Sequence, residues 1–400
     1  MIKPVYYSVT LVLLISLFNC QYNPVATDDT VTATKVIDSI KKVYAPDKRV
    51  AIFDIEAHSK GSGLMLRGES NLPEAVKALK TNLTEINPRI TDSIAILPSA
   101  DLDSLTRAVV KISVANLRSK PKHSAELSTQ AMLGTPLRVY KKKDDWYLVQ
   151  TPDKYLGWVD SGGLELMNAE TFANWKTAIK LIYLDPYGQS YTHQDAGSQP
   201  VSDVVAGDIF ELAETTSKFY KVKYPDGRMA FIAQGEAQPY NDWLKGLNIS
   251  EESLVNTSKK LMGLPYLWGG TSTKGVDCSG FTKMVYFLNG YVIPRDASQQ
   301  IHTGETADSN RSFKNMQPGD LLFFGEPATD STKERIVHVG MWIGNNEFIH
   351  SAGRVHISSM DKNAPNYDEY NYKRYIRSKR LLGKEDKGLL SLKKNQIFRN

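Results

Sequence analysis

Between Arg335 and Ile343 the chain alternates strictly: Ile336, His338, Gly340 and Trp342 fall on one face, Val337, Val339, Met341 and Ile343 on the other. Neighbouring side chains of a strand point to opposite faces, so this period predicts a strand. Phe348, His350 and Ala352 share a face of a second short strand, and Gly344-Asn345-Asn346 between the two is a hairpin turn signal. The register of that hairpin has a consequence. A two-residue turn pairs His350 with Met341, pointing it away from His338. A three-residue turn or a bulge sets it beside Gly340, on the His338 face. The latter is expected. Upstream the period changes: Phe281, Met284, Val285 and Leu288 recur at helical spacing behind Asp277, a good helix cap. A helix should therefore start at or just before Cys278.

The same reading divides the rest of the chain. Met1-Ile2-Lys3 followed by the apolar run Val9–Phe18 is a charged start and a short hydrophobic segment, too short to span a bilayer. With Leu17 three positions before it, Cys20 fits the acylated cysteine of a lipoprotein, so residues 1–20 are read as a lipoprotein signal peptide. Phe18 and Asn19 are larger than the small residues usual beside such a cysteine, and simple secretion is the alternative. Either way the protein is expected to be exported, and the lipid would anchor it to a membrane. Residues 21–47 are polar and read as a linker. Strands at Arg49–Ile55 and Gly63–Arg67, a helix from Asn71-Leu72-Pro73 to Leu83 and a strand at Ile94–Leu97 make residues 48–107 a small α+β module without recognisable chemistry. Short strands with turns fill 108–166 and end in Gly157-Trp158-Val159, suggesting a small β-barrel. A weaker copy without that Gly-Trp pair spans 180–240, and 240–255 read as its connection to the next domain. Residues 246–385 form a further domain, and 386–400 a basic, solvated tail.

Length and composition fit several globular domains, with 41% hydrophobic and 23% charged residues among 400. A net charge of +5 is mild and does not argue for nucleic acid. There is no H-E-x-x-H and no C-x-x-C, and two cysteines are too few for a zinc cage, so no metal or cofactor is expected. If Cys20 is used in processing, Cys278 is left as a lone thiol in an oxidising compartment, where its reactivity is the reason to keep it. A thiol in the first turn of a helix sees the positive end of the helix dipole, which favours the thiolate. His338 then reads as general base and acid for Cys278, with His350 orienting the His338 ring.

The segments Y-L-W-G-G, V-D-C-S-G-F, R-D-A-S-Q-Q, Q-P-G-D-L-L-F-F, H-V-G-M-W-I-G and F-I-H-S-A-G occur here in the order seen in NlpC-type cell-wall cysteine peptidases, and over roughly Val255 to Leu382 the chain resembles that family. The resemblance implies a papain-like α+β catalytic domain with a Cys-His-His triad on Cys278, His338 and His350. The two preceding segments resemble bacterial SH3-like domains. The whole arrangement, an α+β multidomain chain, is similar to γ-D-glutamyl-L-diamino acid endopeptidases of murein recycling. That likeness implies murein peptides with a free N-terminal L-Ala as substrates, and the bacterial cell envelope as location. It places an amine pocket on Asp277, Glu126 and Tyr155. It places peptide and Glu-carboxylate contacts on Ser279 and Ser298, and a wall or oxyanion-side residue at Tyr266. His58, His123, His193, His302 and His356 receive no catalytic role. Two other readings remain open: a wall-binding lipoprotein with an inert peptidase domain, and an amidase or acyltransferase on the same fold.

Overall fold

The computed structural model describes residues 28–399, so the apolar N-terminal run and Cys20 lie outside the described residues. The stretch expected to be a linker is a helix from Asp28 to Tyr44. Its period was present in the sequence: Ala33 and Ile37 are buried, and Val36 and Ile40 pack beside them. They cover a three-stranded sheet of Phe53–Lys60, Gly63–Ser70 and Ile90–Ile96, whose last two strands run parallel. The helix Pro73–Ile86 provides the crossover and buries Ala75, Val76, Leu79 and Leu83.

Two seven-stranded antiparallel sheets follow. The first orders its strands Leu164–Met167, Arg107–Val110, Pro136–Lys143, Trp146–Gln150, Leu156–Asp160, Val114–Arg118, Leu127–Met132. The second runs from Pro200–Val205 to Ala237–Pro239. Closed barrels were expected. Among the described residues neither order closes on itself, because the strands at the two ends are not paired with each other. The architecture is an α/β N-terminal module, an SH3-like β-sheet region and a papain-like α+β domain.

The last domain carries a six-stranded antiparallel sheet in the order Glu305–Asp308, Tyr375–Arg380, Leu321–Glu326, Arg335–Gly344, Glu347–Ala352, Arg354–Ser359. The helix Cys278–Leu288 lies on it, with Phe281, Met284 and Val285 packed among Val339, Met341 and Ile349. Two expectations at its borders are corrected. Residues 240–255 are not a plain connection: Tyr240–Gly246 is a helix that buries Tyr240, Trp243 and Leu244. Nor is the C-terminus a solvated tail. Leu390–Ser391 pairs with Tyr291–Val292, and Leu392 and Phe398 are buried. Apolar residues spaced within the basic run outweigh its charge.

Candidate active site

Cys278 is the first residue of its helix, buried with 8% of its surface exposed, and is a free thiol. Asp277 caps the helix, its Oδ1 accepting from the Gly280 N–H at 2.7 Å. The Ser279 and Val339 backbone N–H groups point at the sulfur. The sulfur thus sits beside the strand Arg335–Gly344, against the peptide that follows His338.

The hairpin has the register that brings the two histidines together. Met341 pairs with Ile349, so Gly340 stands opposite His350, where a Cβ on Gly340 would meet the His350 Cβ at 3.2 Å. The turn itself has two residues, Asn345 and Asn346, both at positive φ (53° and 59°). The shift comes from a bulge between Trp342 and Gly344. His338 Nε2 and His350 Nδ1 are 2.8 Å apart, and His350 Nε2 lies 3.1 Å from the Ser358 Oγ. With Nε2 engaged, His338 keeps Nδ1 as its second ring nitrogen.

Burial decides the protonation states here. It pushes the Cys278 thiol up to about 12, with the neighbouring Asp277 charge adding to it and the two N–H groups and Arg295 opposing. Burial also holds His338 well below the usual histidine range, helped by His350, Arg374 and His356, and takes His350 to about 3. The thiolate expected from the helix dipole is therefore not the resting state. A dipole acting through one turn is outweighed by loss of solvent around the sulfur. The resting pair is a thiol and a neutral imidazole.

This has a sign that can be measured. A histidine whose folded pKa is depressed binds its proton more readily when unfolded, so stability present above the unfolded pKa of about 6.5 is lost as pH falls below it. For His350 that loss extends toward its folded value of about 3. The thermal midpoint should fall between pH 7 and pH 5, and fall less in His350→Gln. A midpoint independent of pH over this interval would show that these rings are not held neutral.

The residues expected to bind substrate are distributed differently from the sequence reading. Asp277 Oδ1 and Oδ2 face Arg295 Nη1 and Nη2 at 3.0 and 2.6 Å, and Oδ2 also accepts from the Gly269 N–H at 3.0 Å. Together with the cap and a contact from Ser279 Oγ at 3.3 Å, both oxygens of this carboxylate are engaged within the protein. Ser279 is likewise held by Arg295 Nη1, at 3.0 Å. Arg295 is 1% exposed and reaches Thr129 Oγ1 of the first SH3-like sheet with Nε, at 3.0 Å. Burial, with the Cys278 and Asp277 charges adding to it, pushes the Tyr266 phenol up to about 12. It therefore remains a donor.

Tyr155 donates to Asp296 Oδ2 at 3.0 Å, and the same oxygen accepts from Arg49 Nη1 at 2.7 Å. Burial and Asp296 raise the Tyr155 pKa far above its ordinary value, which keeps the hydroxyl protonated. Ser298 accepts from the same Arg49 nitrogen at 2.9 Å, and with Arg49 it lines a cleft of about 1070 Å³ between the N-terminal module and the catalytic domain. Glu126 lies on the near side of the SH3-like sheet, accepting from the exposed Trp268 indole at 2.8 Å. Sequence reasoning missed Asp296, Arg295, Trp268 and Arg49. The first three stand inside or beside the quoted motifs, but nothing local marks their partners. Arg49 carried no signal.

A family model described as the NlpC/P60 family matches residues 263–376, and one described as the bacterial dipeptidyl-peptidase Sh3 domain matches 117–164. The chain is similar to the gamma-D-glutamyl-L-lysine dipeptidyl-peptidase of Bacillus cereus, with 32% identity over 61% of this chain and 73% of that protein. It is similar to dipeptidyl-peptidase 6 of Lysinibacillus sphaericus at 27% identity, over 65% of this chain and 94% of the relative. Among solved structures, an NlpC/P60 family protein from Bacillus cereus superimposes with a TM-score of 0.58 at 27% identity, covering 69% of this chain and 99% of its own.

Proposed function

Because this chain belongs to the NlpC/P60 family and is a cysteine peptidase, we propose that it hydrolyses the γ-D-glutamyl–L-diamino acid bond of murein peptides that carry a free N-terminal L-Ala. The observation that carries the reading is a buried thiol at a helix start, beside the strand whose His338 is bonded to His350. The name of the Bacillus cereus relative, a gamma-D-glutamyl-L-lysine dipeptidyl-peptidase, supports the bond.

In this mechanism the Cys278 sulfur attacks the γ-carbonyl carbon while its proton passes to His338 Nδ1. The resulting imidazolium protonates the leaving amine, the C–N bond breaks, and a thioester remains. Water, deprotonated by His338, then hydrolyses the thioester and restores the thiol. The Ser279 and Val339 N–H groups beside the sulfur and the Tyr266 hydroxyl are the donors this mechanism assigns to the developing negative charge.

The free-amine requirement rests on the boundary with the SH3-like sheet. Glu126, Tyr155 and Asp296 are the groups available to an ammonium, with Asp296 in the place first given to Asp277. Arg49 neutralises only one of the two carboxylates it touches, Asp47 and Asp296, so a net negative charge remains there. An amide-linked stem brings no cation to this end and leaves that excess negative charge without a counter-charge.

The test is incubation with L-Ala-γ-D-Glu-diaminopimelate and its N-acetylated form, with products identified by mass spectrometry. Cleavage of the first and not the second is expected, and Glu126→Gln should lower kcat/KM on the first about tenfold. Equal cleavage of both forms would remove the free-amine reading and leave a general murein peptidase.

Such a substrate arises in the bacterial envelope, and acylation of Cys20 would hold the enzyme at a membrane there. A lipid label incorporated by the wild type should be lost in Cys20→Ser, with the protein leaving the membrane fraction. Unlabelled wild type with a mature N-terminus beyond Cys20 would mean simple secretion.

A further inference from the structure

The histidine pair does not end at His350. Behind it stand Ser358, whose Oγ lies 3.1 Å from His350 Nε2, and Asp368, whose Oδ2 lies 4.0 Å from the same nitrogen. His350 is 1% exposed and the Asp368 side chain 17%, so this charge is only lightly screened. We propose that Asp368, acting with Ser358, is a positioning residue of the peptidase: it selects the ring tautomer of His350 and through it that of His338. The proposal rests on the Cys-His-His reading above and adds a fourth and fifth member to it.

The chemistry leaves two arrangements for the 2.8 Å contact between His338 Nε2 and His350 Nδ1, and they are not equivalent. In the first, His350 carries its hydrogen on Nε2, its Nδ1 accepts from His338 Nε2–H, and His338 Nδ1 is a lone pair ready for the thiol proton. In the second, every hydrogen is reversed. His350 Nδ1–H donates to His338 Nε2, and His338 carries its remaining hydrogen on Nδ1, so the nitrogen assigned to the thiol proton in the proposed mechanism has no lone pair to receive it. Only the first is productive.

Nothing in the pair itself distinguishes the two, and Ser358 alone does not either, since a hydroxyl accepts or donates equally well. A carboxylate does distinguish them, because it attracts the N–H end of the ring and repels the lone-pair end. The charged and titratable groups facing His350 are His338, His356 on the neighbouring strand with its ring centroid 4.4 Å away, Asp368 and Arg374. Asp368 is the one anion in that set. His356, given no role from the sequence, therefore packs against the pair, and its Nδ1 lies 2.9 Å from the Arg354 carbonyl oxygen.

Asp368 is held firmly enough to do this. Its Oδ1 accepts from the Asn371 N–H at 2.9 Å and its Oδ2 from the Asn371 side-chain amide at 2.5 Å. Arg374 in turn donates to Asn371 Oδ1 from Nε and Nη2 at 3.0 and 2.8 Å. The Asp368 N–H donates to the Ser359 carbonyl at 2.9 Å, which ties this loop to the strand bearing Ser358.

The competing explanation is that Asp368 merely caps the short helix Glu369–Lys373. Asparagine caps a helix about as well as aspartate but carries no charge. Asp368→Asn therefore separates the two roles. The experiment compares wild type, Asp368→Asn and Ser358→Ala by steady-state kinetics and thermal melting. In parallel, the 15N spectrum of selectively labelled histidine is recorded, with the His350 signals identified from their loss in His350→Gln.

Wild type should show His350 protonated at Nε2 and bare at Nδ1. Asp368→Asn should keep the melting temperature, shift the His350 nitrogens toward the opposite tautomer, and lower kcat at least about tenfold with KM within about twofold. Ser358→Ala should shift the same signals in part. Wild-type kcat and an unchanged nitrogen pattern in Asp368→Asn would overturn the proposal, as would a wild-type His350 protonated at Nδ1. The nitrogen pattern does not depend on turnover, so failure of the triad reading, seen as activity surviving Cys278→Ala, is distinguishable from failure of this one.

Discussion

Cys278→Ala is expected to leave no measurable hydrolysis of the tripeptide in a protein that still melts close to the wild-type temperature. The sulfur stands on the first residue of the helix, with the Ser279 and Val339 N–H groups around it. Replacing the thiol by hydrogen removes one buried atom and costs about 1 kcal/mol. His338→Ala should lower kcat by about 10²–10⁴, the usual worth of a positioned acid–base group. His350→Ala should be milder, because it removes orientation and not the base. The order of severity is the informative part. Product formation followed by mass spectrometry, alongside melting curves, gives both readings. Wild-type turnover in Cys278→Ala would end the cysteine-peptidase mechanism proposed for these residues.

Arg295→Met should be the most damaging substitution for stability, by about 3–5 kcal/mol. The guanidinium is 1% exposed, holds both oxygens of Asp277, and reaches Thr129 across the boundary with the SH3-like sheet. Methionine fills similar volume and makes none of these bonds. What remains is a buried carboxylate, supported by the Gly280 and Gly269 N–H groups but facing no cation. Stranding a charge is what makes the loss large, so neutralising it should restore much of the stability. The double variant Arg295→Met/Asp277→Asn should be markedly more stable than Arg295→Met alone. Urea midpoints of the four proteins measure this cycle. Equal midpoints for the single and double variants would show that the cost lies in lost packing and not in the stranded charge.

Both results depend on features that differ in how far they could be read from the chain. Local period set the hairpin of His338 and His350, the helix behind Asp277 and the helix Pro73–Ile86, because a strand or helix repeats over a few residues and needs no distant partner, whereas the strand read at Arg49–Ile55 stands at Phe53–Lys60. The same logic was available for Asp28–Tyr44, where Ala33 and Ile37 mark the buried face, and was obscured by the polar residues around them. The need for a shifted hairpin register was also legible. Its source, a bulge and not a longer turn, was not, since either device satisfies the pattern.

What only the tertiary structure decided is which groups meet across long separations. Arg295 meets Thr129, Tyr155 meets Asp296, Arg49 meets Asp296 and Ser298, and Trp268 meets Glu126. Such pairs leave no period, because each partner is an ordinary polar residue in its own segment. They are why Asp277 stands in a buried ion pair with Arg295 and not as a free carboxylate beside the thiol. Burial belongs to the same class. The helix dipole at Cys278 is a local property and points toward the thiolate, yet packing in the core sets the thiol at about 12. The chain by itself determined which side chains could do the chemistry. The fold determined their charge and their neighbours, because desolvation and pairing energies depend on what surrounds a group in space, not on what precedes it in sequence.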